Sequence, residues 1–502
     1  MDFSGMITIL TNPILILCIF LGVLFGMYIG AIPGLSGTMA ASLLISFTYS
    51  WDVLPALAVM VGVHVGSVYG GSRSAILLNI PGAPAAIATS MEGYPLAKKG
   101  KAAEAISVTA IQSVIGGLIG CVIMLAATKY VAAFALKFAA RDYVLLGLMG
   151  LVLIASMGGG SFYKSLLCGA LGLFIGCIGL DAVDGVKRFT FDIPYLYGGI
   201  NYVCIMIGTF GFAEALAQIK DIDMGMEIKQ DVGKVRPDFR GVKKHLPLTT
   251  QCSLLGCFVG ALPGTGGDIA ALMAYDHAKR ITKNPETPFG HGAIEGLVAP
   301  ESANNAAVAG AYIPVLAFGI PGDGYCAIVL GALGIHGINA GPALMTKQPE
   351  IVSLVAISLV VANIFLFPIA FSGIKLFAKI VEIPRSILMP IVMGLCVIGS
   401  YALNGNIVDV YVMLFFGFLG YMMKRHDYPV GSMVLGVILC SLIEKNFRRD
   451  LNLTHDSLWA CFTGIFSSPI SLVLFSVVVI MVIGQTPLWR NRKARKGKKI
   501  KA

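Results

Sequence analysis

One eight-residue word, written twice inside apolar sequence, restricts this chain more than any other feature. GAIPGLSG runs from Gly30 to Gly37 and GALPGTGG from Gly260 to Gly267. At an offset of 230 the two runs agree at Gly30/Gly260, Ala31/Ala261, Pro33/Pro263, Gly34/Gly264, Gly37/Gly267, Ala40/Ala270 and Ala41/Ala271. Proline lacks an amide hydrogen and glycine weakens a helix, so each word opens the backbone inside a stretch that would otherwise be plain membrane helix. A second pair of words follows at an offset of 240, where Ile80-Pro81-Gly82 is answered by Ile320-Pro321-Gly322. The order of the words is the same in both halves.

The surrounding sequence sets the solvent. Ile7 to Ile29, Ala105 to Thr128, Ile351 to Ile374, Ser386 to Val408 and Leu458 to Gly484 carry no formal charge. Each is long enough to cross a hydrocarbon core of about 30 Å. With 56% hydrophobic and 13% charged residues, the 502-residue chain falls in the polytopic membrane class. The expected fold is an all-α polytopic membrane protein of about ten to twelve transmembrane helices plus re-entrant hairpins. One such hairpin is expected around Asn79 to Pro84, with short apolar arms on either side.

The net charge of +10 suggests nucleic acid until it is located: Arg490 to Ala502 hold eight Lys or Arg, which leaves +2 for the rest. That tail fits positive-inside anchoring beside the lipid bilayer and excludes a nucleic-acid-binding face. No Lys or Arg precedes Arg73. The same rule places the N-terminus outside and the C-terminus in the cytoplasm, and the N-terminus lacks the basic region of a cleaved signal. The eleven cysteines include no C-x-x-C pair, and neither a disulfide framework nor a zinc site is expected from their scatter.

Lys220 to His245 is the longest polar stretch, with seven basic and five acidic residues. The chain therefore divides into a first repeat (1–219, words at 30–37 and 79–84), a cytoplasmic connector (220–248), a second repeat (249–485, words at 260–267 and 319–324) and a basic tail (486–502). A repeat that starts outside in one half and after a cytoplasmic connector in the other is inverted. Inverted repeats with broken helices mark secondary transporters, whose helix N-termini face an anion.

Beyond that point the words resemble a known family. GAIPGLSG, YGGSRSAILLNIPG, GALPGTGG, APESANNA and GIPGDG stand in the order seen in the large membrane subunit of the tripartite tricarboxylate transporter family, over nearly the whole chain. The resemblance implies a bacterial inner-membrane permease that works with a small membrane subunit and a periplasmic solute-binding protein. It implies import of citrate or a related organic carboxylate by symport, driven by a cation gradient. There is no Walker motif, and no cofactor is expected beyond Na⁺ as a coupling ion. An elevator mechanism and a homo-oligomer are expectations by analogy with other hairpin-containing carriers.

A carboxylate needs donors that replace its water. The substrate-binding candidates are Gly34, Ser36, Gly37, Thr38, Gly82, Gly264, Thr265, Gly267 and Gly322, with Arg73 as a bidentate partner. The coupling-ion candidates are Asn79, Asp268, Glu301, Asn304, Asn305 and Asp323; the acids could bind Na⁺ or take a proton at a depth where an ionisable group is costly unless used. Asn79 and the Asn304-Asn305 pair fit helix capping equally well, and Arg73 fits a loop charge at the membrane edge. Three rivals remain: a carrier without a binding protein, a passive channel and an intramembrane serine protease. The last would use Gly34-Leu35-Ser36-Gly37 with His64, but the second word carries no serine.

Overall fold

The computed structural model describes residues 3–32, 35–157, 161–181, 184–219, 235–237, 239, 241–372 and 385–485. Gly34, most of the connector and the basic tail 486–502 lie outside these residues. Two compact units form, Met1–Ala133 with Val203–Tyr421 and Phe134–Tyr202 with Met422–Ala502. Each draws on both halves of the sequence.

In the first unit a long helix ends at a Pro-Gly word and a shorter one begins, four times over. After α1 (Phe3–Thr11), α2 (Pro13–Ala31) gives way to α3 (Gly37–Thr48), and α4 (Val53–Leu78) to α5 (Ala86–Lys98). α6 (Ala102–Ala135) follows. Then α11 (Val242–Gly260) gives way to α12 (Gly266–Ile281), and α13 (Glu295–Phe318) to α14 (Gly324–Ile335). The 12-residue α3 and α14 rise about 18 Å, too short to cross a bilayer. Left-handed backbone closes two of the long helices, at Asn79 (φ 56°) and Gly319 (φ 71°).

Close approach of backbones holds the long helices in pairs. A Cβ on Gly30 would stand 2.2 Å from Ser67 O, and one on Gly260 2.3 Å from Ala307 O. In lipid, where apolar burial drives little helix association, such small-residue seams supply the packing. The broken turns dock in the same way. A Cβ on Gly82 would meet Gly30 O at 2.2 Å, and one on Gly322 would meet Gly260 O at 2.6 Å.

The rest of the first unit includes α9 (Tyr202–Met206), a π-helical turn Ile207–Phe212, α10 (Ala213–Gln218), α15 (Leu344–Lys347), α16 (Pro349–Phe371), α17 (Arg385–Asn404) and most of α18 (Ile407–Arg425). The second unit contains α7 (Ala140–Met157), α8 (Phe162–Gly176), α19 (Val430–Leu453), α20 (Leu458–Gly464) and α21 (Pro469–Gly484). A two-residue hairpin pairs Gly179–Leu180 with Lys187–Arg188. Its buried Asp181 lies 3.2 Å from Arg188 Nη1 and 2.8 Å from Arg448 Nη2.

Among the described residues seven helices are long and apolar enough to cross a membrane, or eight if the pair bent by 101° at Ser468-Pro469 is one span. The chain is thus an all-α polytopic membrane protein, with fewer such helices than the ten to twelve expected. Two local reasons stand out. Leu458–Gly484 is bent, and the long α11 and α13 are absent from the apolar set; Asn12, which accepts from the amides of Ile14 and Leu15, splits Ile7–Ile29 into two helices but leaves α2 among the seven. The hairpin around Asn79 also differs, because the preceding arm is the 26-residue α4, with GSRSAILL continuous in it. Only the following arm, the 13-residue α5, is short.

Candidate functional site

The four short helices begin around one cavity of about 260 Å³ in the first unit. α3 contributes Ser36, Gly37 and Thr38; the turn before α5 contributes Ala83, Pro84 and Ala85. α12 contributes Gly266, Gly267 and Asp268, and α14 contributes Asp323, Gly324 and Tyr325. His64, Ser67 and Val68 of α4 and Asn304 and Val308 of α13 complete the wall. An α-helix leaves its first amides without intrahelical acceptors and carries partial positive charge at that end, a chemistry that favours negatively charged groups.

Some of those amides are capped internally. Ser36 Oγ accepts from Met39 N at 3.1 Å and lies 2.8 Å from Thr38 Oγ1. Asp323 Oδ1 accepts from Cys326 N at 2.7 Å. Asp268 Oδ1 accepts from Ala85 N at 3.0 Å, which ties α12 to the start of α5. These caps are carboxylates and hydroxyls, the same chemistry that a bound organic acid would present.

His64 is the aromatic base of the site. Its Nε2 lies 3.4 Å from Asp323 Oδ2, its Nδ1 3.3 Å from Tyr312 OH, and its ring stacks on Tyr325 at 3.9 Å. Tyr325 is itself fixed by donating its hydroxyl to Met60 O at 2.7 Å. His64, Asp323 and Cys326 bring a nitrogen, an oxygen and a sulfur within 4.8 Å of one another, the spacing of a metal set. Both Asp323 oxygens are already engaged, by Cys326 N and by His64. Ser36 bonds Thr38 and Met39, while His64 bonds Tyr312 and Asp323, so Ser36 and His64 do not form the hydrogen-bonded pair that a serine protease uses.

Of the residues singled out in the sequence, Ser36, Gly37, Thr38, Gly267, Asp268, Asn304 and Asp323 meet at this cavity. The others are placed elsewhere. Arg73 is buried, with Nη2 donating to the carbonyls of Ala370 and, at 3.4 Å, Ile369, and with its guanidinium 5.6 Å from the Tyr69 ring centre. It fastens α4 to α16. Glu301 accepts from Ser72 and Thr89, joining α13 to α4 and α5. Asn305 Nδ2 donates to Ser113 O and to Asn363 Oδ1, each at 2.7 Å.

Gly264 N donates to Gly322 O at 2.7 Å, and Thr265 Oγ1 donates to Val259 O and to Leu262 O. Those two donors are spent on the fold. Gly82 and Gly322 serve close packing, and Asn79 is an exposed helix end. Sequence reasoning passed over Tyr325, Ser67 and the backbone of Ala83–Ala85, and weighed His64 only as a protease base. A usable signal existed for His64: it stands 240 positions before Asn304, the offset of the second pair of words.

A second cavity of about 340 Å³ has mixed charge, with Lys101, Lys244 and His245 among Glu104, Glu286 and Glu295. Its cations are already paired: Lys101 lies 3.3 Å from Glu104, and Lys244 bonds Glu286. The hydrogen bond from that ammonium holds the Glu286 carboxyl below its usual range. Helices α6, α11 and α13 also begin at its wall, but Glu104 and Glu295 already place negative charge in the first turns of α6 and α13.

Comparison with known proteins places the arrangement. Residues 16–435 match the model of the Tripartite tricarboxylate transporter TctA family. An uncharacterized 52.8 kDa protein from the TAR-I ttuC′ 3′ region of Agrobacterium vitis is 34% identical over 482 residues, 95% of each chain. A second uncharacterized protein, from the TAR-II ttuC′ 3′ region of the same organism, is 35% identical over 228 residues, 45% of this chain and 92% of that relative. No solved structure matches. The family match over most of the chain, and a relative aligned along nearly all of it, establish that this multi-pass membrane protein belongs to the tripartite tricarboxylate transporter TctA family.

Proposed function

We propose that the chain is the permease subunit of a binding-protein-dependent secondary transporter that imports a tricarboxylate or related organic carboxylate on a cation gradient. The observation that carries this is the convergence of four helix N-termini on one cavity, with hydroxyl caps and an imidazole in its wall. Opened helices of this kind bind anionic groups in secondary carriers.

Matched contacts at offsets of 230 and 240 support two inverted repeats: Gly30–Ser67 answers Gly260–Ala307, and Gly82–Gly30 answers Gly322–Gly260. Sliding of the broken-helix body in an elevator fits short helices that end at a common site. Working partners in this reading are a small membrane subunit and a periplasmic binding protein, in a bacterial inner membrane with the N-terminus outside and the C-terminus in the cytoplasm.

Proteoliposomes containing both membrane subunits test the reading. With an imposed cation gradient and the loaded binding protein outside, labelled citrate uptake is expected to saturate, and to fall at least tenfold when the binding protein is left out. Uptake that saturates without the binding protein would instead identify a stand-alone carrier, and uptake linear in concentration a channel.

A further inference from the structure

Two acids face the cavity, and among the described residues only one of them has a basic side chain beside it. Asp323 has His64 Nε2 at 3.4 Å. Asp268 has the Ala85 amide at Oδ1 and no Lys, Arg or His within 4.0 Å among the described residues. Among the described residues no Lys or Arg lines the cavity. A carboxylate substrate entering here adds negative charge beside Asp268, and like charges at close range repel.

The neighbouring side chain supplies the second observation. Asn304 is 4% exposed and lines the same cavity, and its side chain makes no hydrogen bond with a described residue. Its Oδ1 lies over the α12 start, 2.2 Å from where a Cβ on Gly267 would be. An amide in a cavity wall with no protein partner is available to a ligand. Here it stands next to an acid that lacks a counter-ion.

We infer that Asp268 and Asn304 Oδ1 form one wall of a Na⁺ site that fills together with the carboxylate. This rests on the carboxylate reading of the cavity. Oxygen-only ligands suit a hard cation, and one formal charge suits a monovalent one. The substrate's own oxygens complete the shell, so each ligand raises the affinity of the other by the same factor. Thr38, the residue that answers Asp268 at the offset of 230, carries no charge. The coupling site therefore belongs to one half and is not duplicated.

The test uses the purified full chain in nanodiscs, with ²²Na⁺ binding read directly and citrate, malate and succinate as anion probes. Replacing choline chloride by NaCl at equal ionic strength is expected to tighten binding of the recognised anion at least tenfold, and that anion to tighten ²²Na⁺ binding by the same factor. Asp268→Asn and Asn304→Leu should abolish both effects, while Asn304→Asp, which keeps an oxygen in place, retains them and controls for folding. Anion binding equal in Na⁺ and choline overturns the site and leaves the permease reading standing. Binding blind to Na⁺ but tightened by acid also overturns it, in favour of a proton. Specific ²²Na⁺ binding that Asp268→Asn abolishes, with no anion effect from any probe, supports the cation wall and counts against the carboxylate reading. Sodium binding unchanged in Asp268→Asn overturns the wall itself.

Discussion

The two sets of broken helices, α2–α5 and α11–α14, share backbone contacts and differ in chemistry. Gly82 docks on Gly30 as Gly322 docks on Gly260, yet the side chains set on that common frame are unlike. Thr38 stands where the second set has Asp268, Ala83 where it has Asp323, Ala85 where it has Tyr325, and His64 where it has Asn304. Both cavity acids therefore come from the second set and the imidazole from the first. The links also run between sets: Asp268 caps Ala85 of the first, and His64 meets Asp323 of the second. Helix dipoles, a property of backbone, are duplicated; charges, a property of side chains, are not.

The largest effect should come from breaking the shared frame. Gly30→Val and Gly260→Val each drive a side chain into a backbone carbonyl, at 2.2 Å and 2.3 Å for the Cβ alone. Neither helix pair can yield without separating along its seam, so each variant should lose on the order of 3 kcal/mol and most of its monodisperse protein by size-exclusion chromatography. If only one of the two fails, the sets are not mechanically equivalent.

A smaller effect tests the unlike chemistry. Exchanging Thr38→Asp with Asp268→Thr preserves composition and moves the acid to the matching position of the other set. It should weaken apparent substrate affinity roughly tenfold to a hundredfold, through loss of a charged hydrogen bond to Ala85 N worth about 1.5–3 kcal/mol. Substrate uptake against concentration reads this directly. Unchanged uptake would mean that the frame alone decides where charge can sit.

The breaks were legible in the sequence because proline and glycine act locally. Pro81-Gly82 and Pro321-Gly322 mark where α4 and α13 end, and the left-handed closures at Asn79 and Gly319 fall just before them. What escaped depended on distant partners. Arg73 reads as a substrate ligand until the carbonyls of Ile369 and Ala370, nearly 300 positions away, are seen to claim it. Glu301 and Asn305 read as coupling-ion candidates in APESANNA, but their partners Ser72, Thr89, Ser113 and Asn363 come from other helices. Ala83–Ala85 carry no functional side chain, so a wall built from their backbone left no trace in the composition. Hydropathy cannot register a cap at Asn12 or a 101° bend at Ser468-Pro469, so neither break was legible.

The smallest predicted effect separates a hydroxyl that faces the substrate from one that does not. Ser36 lines the cavity and caps Met39 N; Thr265, one position out of register with it at the offset of 230, is buried and donates to Val259 O and Leu262 O. Thr265→Val keeps the shape and removes the hydrogen bonds, at a cost of about 1 kcal/mol in stability, and should leave the KM for uptake unchanged. Ser36→Ala costs a similar ~1 kcal/mol through its lost cap but should raise KM severalfold as well, because its oxygen borders the cavity proposed for the anion. A thermal unfolding midpoint and an uptake KM on the same two preparations separate the cases. Equal KM shifts would return Thr265 to the binding wall; a shift in neither would leave the cavity's anion recognition to backbone amides and His64.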